Sequence, residues 1–363
     1  MFLALRELSF ARGRFALMGS VITLVAVLTV LLSGLANGLV DDGISGLRAL
    51  PVSHLGFQDG ADSTFSRSTV GSKEIDALAA VPGSSAEPFG LTLVNATNED
   101  DANFDLALMG LADGGFIAAA KLPDDPLAPG SAVVTQGLID QGLKVGDTLT
   151  IDRSTVSLTV AGVAPQATYG HVDAVYITLA DWQEVSRLDP SDDAQLASAV
   201  AIAGGDSAAL KRAGTDVGVD VVTRTQAYAG SPGFSAETST MSLISGFLYV
   251  ISAMILGSFF TVWTIQRRSE IGLQKALGAS TAAVLRDALA QVLIVLTAAT
   301  ALGTAIGYGL GKFIEGGEVP FALDPSTAIT AAVILIVSGT IGMVIGIRKL
   351  TSVDPIIALG GAA

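Results

Sequence analysis

The stretch FALMGSVITLVAVLTVLLSGLANGLV, residues 15–40, runs for 26 residues without Asp, Glu, Lys or Arg. A helix needs about 20 apolar residues to cross a bilayer, so this run is long enough to span one. Arg6, Arg12 and Arg14 precede it, as they would a secretory signal. A signal, however, has an apolar core of only about 7–15 residues closed by a small-residue cleavage site. The reading is therefore a retained helix, with a cleaved signal as the alternative. Three more charge-free runs follow, at residues 238–266, 288–311 and 325–347, of 29, 24 and 23 residues. The whole 363-residue chain is 50% hydrophobic and 15% charged, with no cysteine. That excludes a disulfide scaffold, a thiol enzyme and a Cys-ligated zinc or iron–sulfur protein.

Charge sets the orientation. Residues 41–237 hold 27 of the 34 acids and 10 of the 20 bases, leaving the remainder of the chain mildly basic. Lys and Arg near helix ends favour the cytoplasm. Arg6, Arg12 and Arg14, then Arg267 and Arg268, then Arg348 and Lys349, all belong inside on that rule. Lys312, at the far end of the third run, is offset by Glu315 and Glu318. The expected division places residues 1–14, 267–281 and 348–363 in the cytoplasm, both termini included. Spans lie at 15–40, 238–266, 282–311 and 325–347, with 41–237 and 312–324 outside. The net charge of −14 is a property of the external insert and argues against nucleic acid as a partner, which needs a basic footprint. Glu99, Asp100, Asp101 and Asp105 are dense enough for a calcium loop but lack its Asp-x-Asp-x-Asp-Gly spacing.

About 200 residues is too long for a structureless connection, so 41–237 is expected to fold as a mixed α/β domain. Gly146-Asp147 is a turn signal before alternation at 148–151, and residues 156–160 alternate again. Residues 175–177 and 217–222 read as further strands. Residues 73–78, 136–142 and 179–188, the last with Trp182, read as short helices.

Between the second and third runs the chain reads Arg267-Arg268-Ser269-Glu270-Ile271-Gly272-Leu273-Gln274-Lys275-Ala276-Leu277-Gly278-Ala279-Ser280. Ile271, Lys275 and Gly278 share a face at helical spacing, which describes either a short amphipathic helix at the membrane surface or a plain basic anchor. Arg-x-x-Glu-Ile-Gly-Leu followed by Lys-Ala-Leu-Gly-Ala-Ser resembles the signature of the MacB/FtsX superfamily of permeases, the membrane subunits of type VII ABC transporters. The resemblance extends over the chain. It takes in the amphipathic lead-in Leu5-Arg6-Glu7-Leu8, Gly142-Leu143-Lys144-Val145-Gly146-Asp147-Thr148-Leu149 and Val160-Ala161-Gly162-Val163 in the external domain, and the tail Asp354-Pro355-Ile356-Ile357-Ala358-Leu359.

That resemblance implies a homodimer in a bacterial plasma membrane, bound to two copies of a separate ABC ATPase that carries ATP-Mg. Arg267, Arg268, Glu270, Ile271, Lys275, Leu277 and Gly278 would couple ATP-driven closure to the helices. The chain itself offers no phosphate loop: Gly307-Tyr308-Gly309-Leu310-Gly311-Lys312 has the wrong spacing, and Phe313 stands where Ser or Thr is needed. No intrinsic cofactor or structural metal is expected. Gly303, Gly307 and Gly311, Gly34 and Gly38, and Gly342 and Gly346 recur at intervals of four, a pattern for close helix packing. Asn37 reads as facing a partner chain or as an interfacial polar cap.

The domain size and helix number are most similar to the haem-efflux permeases of Gram-positive bacteria, which would make haem the substrate. Haem needs an apolar slot, an axial ligand and a cation near its propionates. Tyr228, Glu237, Met241, Tyr249, Met254, Tyr169 and His171 are the candidate ligands, and Arg48 and Arg224 the candidate propionate partners. Each has an ordinary alternative as an interfacial aromatic, a packing Met or a loop polar group. Two other functions fit the same architecture: export of another amphipathic compound such as a peptide, lipid or drug, and mechanotransmission to an external partner without transport.

Overall fold

The computed structural model describes residues 12–122, 127–189, 192–266, 280–317 and 319–348. The chain divides into two compact units, Met1–Leu39 with Thr238–Ala363, and Val40–Glu237. Four long helices, Arg12–Arg48, Phe234–Gln266, Thr281–Ile314 and Pro325–Arg348, each contain a stretch long and apolar enough to cross a membrane. The Leu5–Leu8 lead-in and the Pro355 tail lie outside the described residues.

The glycine stripes lie where the helices meet. On the third long helix, a Cβ at Gly303 would stand 2.5 Å from the Thr23 carbonyl and 2.6 Å from Ala26 Cβ. One turn on, Gly307 faces Val27 and Val30. Such close approach lets Thr23 Oγ1 donate to the Ala299 carbonyl at 3.2 Å, joining the first and third helices. Gly342 of the fourth helix packs on the Ala253 backbone of the second, and Gly257 on Gly342. Gly34 and Gly38 receive Phe321 and Pro320 of the connection before the fourth helix, and Ala322 N–H donates to the Gly34 carbonyl at 3.0 Å. Asn37 Nδ2 donates to Thr327 Oγ1 at 2.9 Å, so its amide is used within the chain. Apolar lipid gives helices no hydrophobic reason to associate, and dispersion across small residues takes that role.

The first long helix continues past Asp41, where the charge-free run stops, to Arg48. Ile44 and Leu47, at helical spacing, are buried in the core of the second unit and reward the extra turns.

That unit is built on ten strands: β1 His54–Gln58, β2 Ser84–Thr97, β3 Asn103–Leu111, β4 Ser131–Thr135, β5 Thr148–Ile151, β6 Ser157–Ala164, β7 Thr168–Tyr169, β8 Val172–Thr178, β9 Ala199–Gly204 and β10 Val219–Thr223. The order is β10-β1-β9-β2-β3-β8-β4-β6-β5, and β5 pairs back onto the end of β2 through Ala96↔Ile151 and Thr97↔Thr150. Strands β2, β3, β8, β4, β6 and β5 therefore close into a ring. Alternation sorts their side chains: Leu106, Leu108, Val175 and Ile177 join one core, while Ala107, Met109, Ala174 and Tyr176 join the other with Ile44 and Leu47. The 14-residue β2 serves both parts, its first half pairing with β9 and its second with β5. Helices Ser72–Ala79 and Ser207–Val217 cover the β10-β1-β9 arm through Ile75, Leu78 and Leu210.

The alternation expected at residues 148–151 and 156–160 appears in β5 and β6, the latter alternating exposed and buried throughout. Trp182 lies on helix Leu179–Val185, its indole seated on the cross-strand pair Gly90↔Gly110, where any Cβ would collide with it. The acidic Asn98–Asp105 stretch includes the β2–β3 hairpin turn, in which Asn98 Oδ1 accepts from the Asp100 and Ala102 N–H groups at 3.0 and 2.9 Å.

Replacing Gly303 by Val should cost about 1–3 kcal/mol by overpacking against Thr23 and Ala26. Gly309→Val, where nothing stands within 4 Å, is the matched control. Thermal midpoints in detergent read the difference, and equal midpoints would contradict this packing.

Candidate functional site

The nine candidate substrate residues separate by environment. Tyr169 is 3% exposed, packs edge-to-face on Phe65 at 5.7 Å, and donates its hydroxyl to the Gly230 carbonyl at 3.1 Å. Burial pushes its phenol pKa well up. It is a core residue and is not presented to a ligand. Tyr228 is also buried, edge-to-face with Phe234 at 6.1 Å. Arg48 pairs with Asp41 on its own helix. Arg224 Nη1 donates to the Leu50 carbonyl at 3.0 Å, just beyond the end of the first long helix, where a cation complements the helix dipole. These four side chains are engaged structurally.

His171 and Glu237 are brought together. β7 and β8 form a hairpin with Thr168↔Asp173 and Tyr169↔Val172, leaving Gly170 and His171 as a two-residue turn. Both lie at positive φ, +60° and +66°, the pattern of a type I′ turn, which matches strand twist. Gly170 N–H donates to the Gly43 carbonyl at 2.9 Å, and Ser45 Oγ meets Thr168 Oγ1 at 2.7 Å, so the hairpin tip is fastened to the first long helix. There His171 Nδ1 lies 2.8 Å from Asp42 Oδ2, and Nε2 lies 3.0 Å from Glu237 Oε1 in the first turn of the second long helix. Both ring nitrogens are thereby occupied, so the ring as placed has no lone pair for iron. Asp42 is the partner that sequence reasoning missed, because a charge following an apolar run was taken as the end of the span. The Ile44 and Leu47 spacing was the available signal that the helix continued.

Met241, Tyr249 and Met254 lie along the second long helix, well apart from that cluster in sequence. Met241 and Tyr249 are eight residues apart, on one half-buried face. Met254 is 66% exposed and Phe247 65% exposed, in a stripe with Leu243 and Val250. Only 11% of this helix's apolar window is buried, against 28–33% for the other three. Arg267, Arg268, Glu270, Ile271, Lys275, Leu277 and Gly278 lie outside the described residues.

Residues 242–355, holding most of the second long helix and all of the third and fourth, match the FtsX-like permease C-terminal family. With four candidate spans and the α/β unit between the first two, the chain is an FtsX-like permease of the ABC-transporter class. It is similar along its whole length to HrtB of Staphylococcus haemolyticus, a permease protein named for a hemin transport system, with 25% identity over 99% of each chain. An uncharacterised ABC transporter permease of Mycobacterium tuberculosis is 22% identical, again over 99% of each. Among solved structures, the periplasmic region of MacB from Actinobacillus actinomycetemcomitans covers 49% of this chain and 92% of its own, with 12% identity and a TM-score of 0.35.

The chain has only two histidines, and their environments push them in opposite directions. Burial disfavours the charged His171 ring, but its bond to Asp42 and the charges of Glu237 and Asp42 outweigh burial and raise its pKa. His54 is buried between Ser53 Oγ at 2.9 Å and Ser207 Oγ at 2.8 Å, and burial, then Lys211, lower its pKa. A histidine whose folded pKa is lowered costs stability as pH falls below its unfolded value of 6.5, because only the unfolded chain then takes the proton. His54→Gln should therefore flatten the loss of thermal stability between about pH 7 and pH 5. A variant melting curve that falls as steeply as the wild type would contradict this assignment.

Proposed function

We propose that this chain is the permease half of an ATP-driven efflux pump that takes an amphipathic toxic compound, haem in the first place, from the membrane and exports it. It works as a homodimer with two copies of a separate ABC ATPase, in a bacterial plasma membrane with both termini in the cytoplasm. ATP is hydrolysed on the partner, and residues 267–280 receive the stroke.

The observation that carries the reading is the uncovered second long helix. Its Phe247, Val250 and Met254 stripe is far less covered by its own chain than the other spans. Such a face suits a second copy of the helix with a flat apolar ligand between them. Met241, Met254 and Tyr249 add the soft sulfur and phenol oxygen that iron accepts, at bilayer depth. The full-length similarity to a permease named for hemin transport supports the same cargo. Export of another amphiphile, or mechanotransmission, uses the same helices without needing those donors.

The test is an absorption titration of the detergent-purified permease and its ATPase with haemin, against an iron-free porphyrin. The expected result is a saturable Soret shift at one site per dimer, weakened by Met241→Ala, Tyr249→Phe or Met254→Ala. A titration with no saturable component would overturn haem as cargo and favour a colourless amphiphile.

A further inference from the structure

We propose that His171, Asp42 and Glu237 form a proton-operated clasp that fastens the Asp41-to-Arg48 end of the first long helix to the first turn of the second. Three elements meet at one imidazole: the first helix through Asp42, the β7–β8 hairpin through His171, and the second helix through Glu237. A protonated ring donates to both carboxylates, giving two charge-assisted bonds. A neutral ring has one N–H and one lone pair. Deprotonation thus turns one arm from a bond into a lone pair facing a carboxylate, and the clasp opens on that side.

Three features single this group out. The ring sits at a turn position where Gly or Asn is cheaper, and a side chain held at positive φ needs surrounding contacts to keep it there. The two carboxylates approach opposite ring nitrogens, an arrangement that cannot converge on one ion, and among the described residues no cluster suited to a metal is present. The neighbouring charges are committed elsewhere: Asp41 pairs with Arg48, and Asp173 on β8 accepts from Gln166 Nε2 at 2.6 Å, Gln141 Nε2 at 2.8 Å and Thr135 Oγ1 at 3.2 Å. Asp42 and Glu237 are the charged side chains bonded to the ring.

The sign follows from linkage. His171 has its pKa raised from 6.5, so the clasp contributes fully below that value and is lost as pH rises through the raised one. The two helix ends are held together in acid and freed in alkali, in the compartment that the α/β unit faces. The clasp stands whatever the cargo.

Hydrogen exchange on the full chain in lipid nanodiscs tests it, with rates corrected for base catalysis and followed in peptides covering residues 40–48 and 234–240. Between about pH 6 and pH 9, corrected exchange there should rise about tenfold in the wild type. His171→Asn, which tolerates the turn but cannot titrate, should exchange at the fast level throughout. Asp42→Asn and Glu237→Gln should shift the rise to lower pH. Imidazole signals from labelled histidine, assigned with His54→Gln, should show His171 titrating above His54. A flat wild-type profile, an unchanged pH response in His171→Asn, or a His171 midpoint below that of His54 would each overturn the clasp.

Discussion

Hydrocarbon supplies no partner for a bare N–H or C=O, and that single constraint shapes most of this chain. Backbone inside a bilayer must satisfy itself, so each crossing segment is a helix of at least about 20 apolar residues. Water leaves this region as a driving force as well as a partner, because apolar side chains gain little by leaving lipid for one another. What remains is close contact, and Gly303, Gly307, Gly342 and Gly257 supply it by removing the Cβ atoms that would hold the helices apart. Thr23 and Asn37 then find hydrogen-bond partners on neighbouring helices because the backbones are near enough.

The α/β unit obeys the opposite solvent. Its ring of six strands leaves no edge between β2 and β5, and alternate residues divide between two apolar cores. Ile44 and Leu47 draw the last turns of the first long helix into one of those cores. That helix is consequently one continuous element serving two different solvents, and it carries Asp42 to the place where His171 and Glu237 can reach it.

Periodicity and charge made the four spans legible, since a charge-free run of more than 20 residues has few other uses. β5 and β6 were legible because one face of each is wet. β2 and β3 were not read: β3 is buried on both faces over most of its length, and the pairing of β2 with β9 and β5 joins residues far apart in sequence. The candidate site was legible only in part. Tyr169 and Arg224 have the right chemistry for a ligand but spend it on the Gly230 and Leu50 carbonyls, and no local pattern reveals a bond to a distant backbone oxygen. His171 was found through its Gly-flanked turn, whereas Asp42 was hidden by the convention that a span ends at its first charge.

The account stands on the second long helix crossing the bilayer and so separating the α/β unit from the residues that follow it. The chain has no cysteine, so single cysteines report without background. Asp100→Cys in the α/β unit, Ser280→Cys after the second long helix and Glu315→Cys after the third would be treated with a membrane-impermeant maleimide in intact cells. Labelling of Asp100→Cys and Glu315→Cys, with Ser280→Cys reactive only after permeabilisation, is the predicted result. Labelling of Ser280→Cys and Asp100→Cys from the same side would contradict the account at its foundation.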